Sequence, residues 1–517
     1  MRPLLALLLP LVVGCGSKTA LVTGSVDDGG VDSSVPDTSV PDSAIDTSVV
    51  DTAVDTRLPC VSDDECNDGV FCNGLELCSM GGCVSGTPIE CMPPPDGCTE
   101  GLCDEMLQEC VFRPVDRDLD LHFLVACGGD DCDDEDPTVF GGAIELCDYQ
   151  DNDCDMQVDE RLPYVGLGTA RDVSEGTSGA IRPDVGWSGS EYQVVFDSDE
   201  GTGQVFLASV RRNGRPMGSA DPVTFSSVLA SSADIHWTGT EYGMWHHFHL
   251  DEAFQGTVSL TRIDGSGRVI RRAVAATPDV PDADVPGSAW SGTDWGVAFV
   301  ASRSTGAREI RFFRADRTGR TTVMPTTLSG PLAIPFVKPA VAWTGRRFVV
   351  AWGEGSAVRL VGLNPAGTMP AWSERVPSAD QPQVSLAWSG TELMVSFTST
   401  TRVDGVHLAR FSDAGAMRGS FVDLTPDAAQ QTGVDSVWSA DVLAVTYQRG
   451  RTAAPGTYVV RVADGARWIS PPGLVDDRIA TDHPGSAIAD TGREYGVAYP
   501  ASSPRRGAIF FRRAGCE

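Results

Sequence analysis

Trp187-Ser188-Gly189-Ser190-Glu191-Tyr192-Gln193-Val194-Val195-Phe196 is a pattern that the chain repeats. Anchors in the place of Trp187 recur about every 50 residues as Trp237, Trp290, Trp343, Trp388 and Trp438, with Asp490 in a seventh copy. Ser or Thr follows each anchor and Gly comes next in most copies, which marks a hairpin turn after a short strand. Five residues beyond the anchors stand Tyr192, Tyr242, Trp295, Phe348, Leu393, Leu443 and Tyr495. Seven beyond come Val194, Met244, Val297, Val350, Val395, Val445 and Val497, and nine beyond Phe196, His246, Phe299, Trp352, Phe397, Tyr447 and Tyr499. A period of two places these side chains on one face of a second strand.

A third strand follows, as in 310–313 or 406–409, and turns such as Asn213-Gly214, Asp264-Gly265, Thr318-Gly319 and Asp464-Gly465 lead into a short fourth. Four strands per repeat and seven repeats resemble a seven-bladed β-propeller. The period of two and the turn glycines exclude a helical solenoid. The seventh copy stops at 510–513, so residues 168–173 ahead of the first copy are expected to supply its fourth strand and close the ring. No Asp-box of the sialidase type occurs.

A chain of 517 residues allows about three domains. The 39 Lys and Arg against 71 Asp and Glu give a net charge of −32, which excludes nucleic acid as a partner. The charge is unevenly placed: residues 1–160 hold 35 acidic and 5 basic side chains, and the remainder 36 and 34. Fourteen of the 15 cysteines also fall between Cys15 and Cys154, a distribution that suits an oxidising compartment.

Arg2 and the apolar run 4–13 read as a signal peptide over residues 1–14, too short to span a bilayer as a helix. Leu11-Val12-Val13-Gly14-Cys15 resembles a bacterial lipobox, which implies lipidation of Cys15 and a membrane anchor; the plain alternative is an ordinary signal peptide with a chance cysteine. With Gly16 and Ser17 rather than Asp after the cysteine, lipoprotein sorting implies the outer membrane and a surface-exposed chain. Residues 15–59 repeat Asp, Ser, Thr, Val and Pro without an aromatic side chain, which is expected of a disordered stalk.

Residues 60–115 form a cysteine-rich module with nine cysteines and few large apolar side chains, so disulfides are its expected staples and zinc the competing reading. The acidic module 116–160 carries Asp116, Asp118 and Asp120, then Asp131, Asp133 and Asp134, then Asp151, Asp153, Asp155, Asp159 and Glu160. Alternate carboxylates in a tight loop can converge on one hard cation, and Ca²⁺ takes about six to eight oxygen ligands. The bland reading is a solvated acidic surface. Asp131-Cys132-Asp133-Asp134, Pro137, Gly142-Ala143-Ile144-Glu145-Leu146-Cys147-Asp148, Asp151-Asn152-Asp153-Cys154-Asp155 and Val158-Asp159-Glu160 resemble the metal-binding motif of MopE-type bacterial surface proteins. That family usually has glycine where this chain has Leu119, Leu121, Tyr149 and Met156. The resemblance brings copper into consideration, whereas the oxygen donors favour Ca²⁺.

Residues 161–517 are the propeller domain. His236, His246, His247 and His249 cluster in its second copy, and His247 and His249 share a strand face that could hold a metal or an anionic ligand. Asp197, Asp199, Glu354 and Asp404 fall in comparable places of other copies; the plainer reading makes His246 a core residue and the others ordinary loop residues. No nucleophile-base spacing or phosphate-cradling loop is legible. The expected function is therefore a surface-anchored, non-catalytic protein displaying a propeller for an extracellular protein or carbohydrate ligand. The alternative is a secreted polysaccharide hydrolase or lyase acting at the propeller face. Finally, pairing within each cysteine group leaves one of the nine over, and Cys516 is expected to pair with a cysteine of the N-terminal region and lock the ring.

Overall fold

The computed structural model describes residues 59–516 except 149, 201–202, 225–228, 250–255, 278, 281, 304–305, 333–337, 379–381, 400–404, 426–430, 440, 451–453, 467–468, 479–484 and 502–506. The signal peptide, Cys15 and nearly all of the stalk lie outside the described residues. Strands and three short 3-10 turns are the regular elements among them, and no described helix is long and apolar enough to cross a membrane.

Seven four-stranded antiparallel sheets form the propeller. In the first, Ala180–Trp187, Glu191–Ser198, Gln204–Arg211 and Asp221–Pro222 pair in chain order. The inner strands of the next six blades are Ala230–Trp237, Asp284–Trp290, Ala340–Trp343, Val384–Trp388, Gln431–Ser439 and Ala487–Asp490, so every anchor lies on its blade's inner strand. The turn after the anchor needs a left-handed residue, and Gly189, Gly239, Gly292, Gly345, Gly390 and Gly492 provide it at φ of 95, 93, 96, 78, 96 and 86°. In the last blade Ala487–Asp490, Tyr495–Ala501 and Ala508–Gly515 are completed by Val165–Asp172 from the start of the domain. The ring closes where the sequence places the closure.

The side chains five, seven and nine residues beyond each anchor are all buried. They fill seven apolar clusters, one in each gap between neighbouring blades. One holds Trp245, Trp295, Phe299 and Phe313; the gap between the last two blades holds Tyr164, Tyr495, Tyr499 and Cys516. The opposite face of the second strand is buried as well, by Val195, Trp245, Ala298, Val349, Met394, Ala444 and Ala498. A blade packs on both sides, so the alternation in sequence distinguishes two buried faces.

Seven disulfides pair fourteen cysteines, which leaves no thiolate among them for zinc. Cys60–Cys78, Cys66–Cys83, Cys72–Cys103 and Cys91–Cys110 staple a small unit made of residues up to Met92 with Gly101–Val111. Pro93–Glu100 and Phe112–Glu517 form the second unit, so the acidic module and the propeller are one compact body. The grouping expected for the cysteines needs correction. The odd member of the nine is Cys98, which pairs with Cys127, and this frees Cys147 for Cys516 across 369 residues.

Candidate functional site

The acidic module has little apolar interior of its own: Val139 is buried, beside the buried polar residues Asp131, Asp134, Glu145, Asn152, Asp159 and Glu160. Its loops are folded by their own carboxylates. Asp116 accepts N–H bonds from Leu119 (2.7 Å) and Leu121 (3.1 Å), and Asp151 from Asp155 (3.1 Å) and Met156 (2.7 Å). Cys132–Cys154 ties the second loop to the third, and Phe140 stacks on His122 at 4.0 Å.

Two sets of oxygens converge. Asp116, Asp118 and Asp120 bring carboxylate oxygens within 4.8 Å of one another. The charge of Asp131 acts on Asp118, and burial, with Asp120 and Asp134 adding repulsion, pushes the Asp131 carboxyl up. The second set joins Glu145, Asp153 and Glu160, and overlaps Asp151, Asp153 and Asp155 through the shared Asp153. Burial, reinforced by Glu145, Asp153 and Asp155, pushes Glu160 up to about 7. Glu145 is raised for the same first reason. One oxygen each of Asp118, Asp120, Asp131, Glu145 and Glu160 is buried without a hydrogen-bond partner. Such atoms are costly unless a cation or a proton takes them. Arg161 offsets part of the charge, meeting Glu160 at 2.8 Å and Asp153 at 3.3 Å. Asp133 is exposed, and Asp134 is held by Arg117 at 3.7 Å.

Residues 131–160 match a family of the copper-binding MopE type, whose description reads "Putative metal-binding motif". This segment is similar to the MopE-type motif. No curated protein matches the chain. Among solved structures, a protein of unknown function from Dyadobacter fermentans DSM 18053 aligns at 10% identity with a TM-score of 0.43, over 69% of this chain and 99% of that one.

Leu119, Leu121 and Met156 adopt φ of 67, 77 and 70°, the backbone that glycine favours. Their side chains are largely exposed, so the bulky residues keep the loop conformation at a local cost instead of refolding it. Tyr149 lies outside the described residues. Glu145, absent from the candidate ligands read in the sequence, belongs to the second set; its isolation between Ile144 and Leu146 hides it from a search for alternating acids. The MopE-type motif is joined to the ring by Cys147–Cys516 and by Arg461, which donates to the Asp159 carbonyl at 2.7 Å and lies 4.1 Å over the Tyr164 ring.

In the propeller, His246 is a buried core residue bonded to the His247 carbonyl (3.1 Å) and Thr261 (3.0 Å), and burial lowers its pKa to about 4. His247 is buried against Asp284 at 3.1 Å. The His249 side chain and Asp404 lie outside the described residues. Asp197 is an inter-blade strut, accepting from Arg182 (2.7 Å) and from the Ser232 N–H (2.8 Å). Asp199 is exposed and Glu354 faces Arg359, so these acids do not gather at one point.

Proposed function

We propose that the chain is a lipid-anchored surface protein of the outer membrane, non-catalytic, displaying its propeller for an extracellular protein or carbohydrate ligand above a Ca²⁺-stabilised neck. The observation that carries this reading is the set of buried, partnerless carboxylate oxygens placed where the chain enters the ring. Ca²⁺ suits them because every converging donor is a carboxylate oxygen. The cysteines are spent in disulfides, and His122 is engaged by Asp130 at 2.9 Å, which leaves copper few of its preferred ligands. Asp116, Asp118, Asp120 and Asp131 would hold one ion; Glu145, Asp151, Asp153, Asp155 and Glu160 would hold another. Cys15 would carry the lipid.

The test uses the secreted chain beginning at Gly16, probed on arrays of glycans and extracellular proteins with Ca²⁺ and with a chelator. Saturable binding, weakened by the chelator, is the expected result. Cleavage of an arrayed polysaccharide would replace this reading with the hydrolase or lyase.

A further inference from the structure

A cavity of about 1110 Å³ runs along the propeller axis, walled by the inner strands of all seven blades. This volume is at the upper end for small-molecule sites. Its polar groups arise from one local device. In blades 1, 2 and 6 the inner strand shifts register just before the anchor, and the residue that re-enters register is Asp184, Asp234 or Asp435. Such bulges re-aim side chains. Blades 3, 4 and 7 place the small Gly287, Ala340 and Ala487 at the corresponding position, and at Gly287 the Pro339 backbone packs where a side chain would stand.

Lys338 of blade 4 borders the channel with its side chain about half exposed, and its ammonium meets Asp234 of blade 2 at 2.9 Å. His236 meets the other oxygen of Asp234 at 3.0 Å. Burial opposes charge on Asp234, yet Lys338 and His236 outweigh it and hold its carboxyl below the usual range. Arg308 is likewise taken by Asp282 and Asp284. Asp184 and Asp435 differ. Asp184 accepts the Val185 and Ile235 N–H groups at 2.8 Å each, and Asp435 accepts from Ser385 and the Ile488 N–H at 3.0 Å each, with no cation at ion-pair distance among the described residues. Burial pushes Asp184 up to about 6 and raises Asp435.

The wall therefore already accommodates one ammonium, that of Lys338, whose charge also reaches Asp184 and Asp435 without pairing directly with either. Groups of three acids with oxygens close enough for one metal ion occur among the described residues outside the channel, which favours an extended organic cation over a metal. Between the polar groups the channel is bordered by Val185, Ile235, Val341, Leu386 and Ile488, whose largely buried side chains pack between blades and show only their edges to it. Resting on the reading of the propeller as a binding domain, we infer that the axial channel binds a ligand carrying a primary ammonium group. Asp184 and Asp435 take the ammonium, and the body lies against these apolar edges.

The probe pair is the glucosamine disaccharide and its N,N′-diacetyl form, titrated calorimetrically into the secreted chain at fixed Ca²⁺. The amine form is expected to bind at least about tenfold more tightly, and Asp184→Asn and Asp435→Asn each to weaken it by about tenfold. Because these carboxylates also accept backbone bonds, Gly485→Phe supplies a second variant. A Cβ there meets nothing within 4 Å, so a phenylalanine can narrow the channel without replacing either acid and is expected to weaken binding by at least about tenfold. Equal affinity for both sugars, no binding of the amine, or binding undiminished by Gly485→Phe would each overturn the channel assignment. An array ligand that still binds the Gly485→Phe chain would leave the display function standing while this inference falls.

Discussion

The acidic module and the propeller are parts of one compact unit that are held together by opposite means. Between residues 116 and 160 the buried groups are mainly carboxylates and one asparagine, crossed by a disulfide, and their unmatched oxygens call for ions. The propeller fills the gap between every pair of blades with apolar side chains, and some of its buried carboxylates find partners across blades, as Asp234 does with the Ser288 N–H at 2.8 Å, while the polar atoms it leaves without a partner include single groups on aromatic rings such as Trp245 and Tyr447. A 45-residue segment cannot bury enough apolar surface to fold on that alone, whereas a 50-residue repeat becomes stable by sharing two faces with its neighbours. Conditions that strip ions or reduce disulfides should therefore act on one region and spare the other.

The largest effect is expected at the join. Replacing both Cys147 and Cys516 by Ser removes a cross-link spanning 369 residues, worth about 6 kcal/mol in the chain-entropy model. The urea midpoint should fall sharply, and separate transitions should appear for module and ring. An unchanged midpoint would mean that strand pairing alone closes the ring. Next comes Phe299→Ala, which empties a fully buried site between blades 2 and 3 and should cost about 4 kcal/mol with or without Ca²⁺. A loss that depended on Ca²⁺ would break the comparison.

The two regions also differ in how far their sequences can be read. The propeller was legible because Trp187 and its equivalents fix a phase, and the same physical demand recurs seven times. Even the strand swap follows from counting strands. The metal-binding segment was legible as a motif, but not its geometry: Glu145 comes to Asp153 and Glu160 through backbone bonds to Asn152 and Asp153, which no spacing rule encodes. The pairing of Cys98 with Cys127 was hidden for the same reason. In the channel the signal was present and unread: an Asp stands three residues before the anchor in blades 1, 2 and 6, whereas Lys338 comes from another blade and is brought there only by the ring.

A smaller effect separates the regions by pH. Glu160 in the ion-free protein keeps its proton up to about 7, against 4.5 for the ordinary side chain. Between those values the folded state binds more protons than the unfolded chain, so ion-free stability falls as pH rises through that window, by up to about 3 kcal/mol. On the proposed reading Ca²⁺ would take the proton's place. The midpoint gain on adding Ca²⁺ should thus be larger at pH 8 than at pH 5, and Glu160→Gln should flatten the difference. A gain equal at both pH values would remove Glu160 from the ion's ligands.

The smallest effect tests the same backbone demand in both regions with opposite signs. After the anchors the propeller uses glycine at φ near 90°, whereas the acidic loops use Leu119, Leu121 and Met156 at φ of 67, 77 and 70°. Their N–H groups are fixed by the leading carboxylate of each loop, Asp116 or Asp151, so the conformation belongs to the loop and not to the side chain. Left-handed backbone costs a residue with a Cβ about 1–2 kcal/mol, of which glycine returns part through its greater freedom when unfolded. Met156→Gly should therefore stabilise the module by about 0.5–1 kcal/mol and tighten Ca²⁺ about two- to fivefold. Gly189→Ala in the propeller should cost about 1 kcal/mol and leave Ca²⁺ affinity unchanged, since no side chain crowds that turn. Calorimetric titration of both variants decides it. If Met156→Gly weakened Ca²⁺ binding, the exposed methionine would have a role in the loop that its backbone angle does not explain.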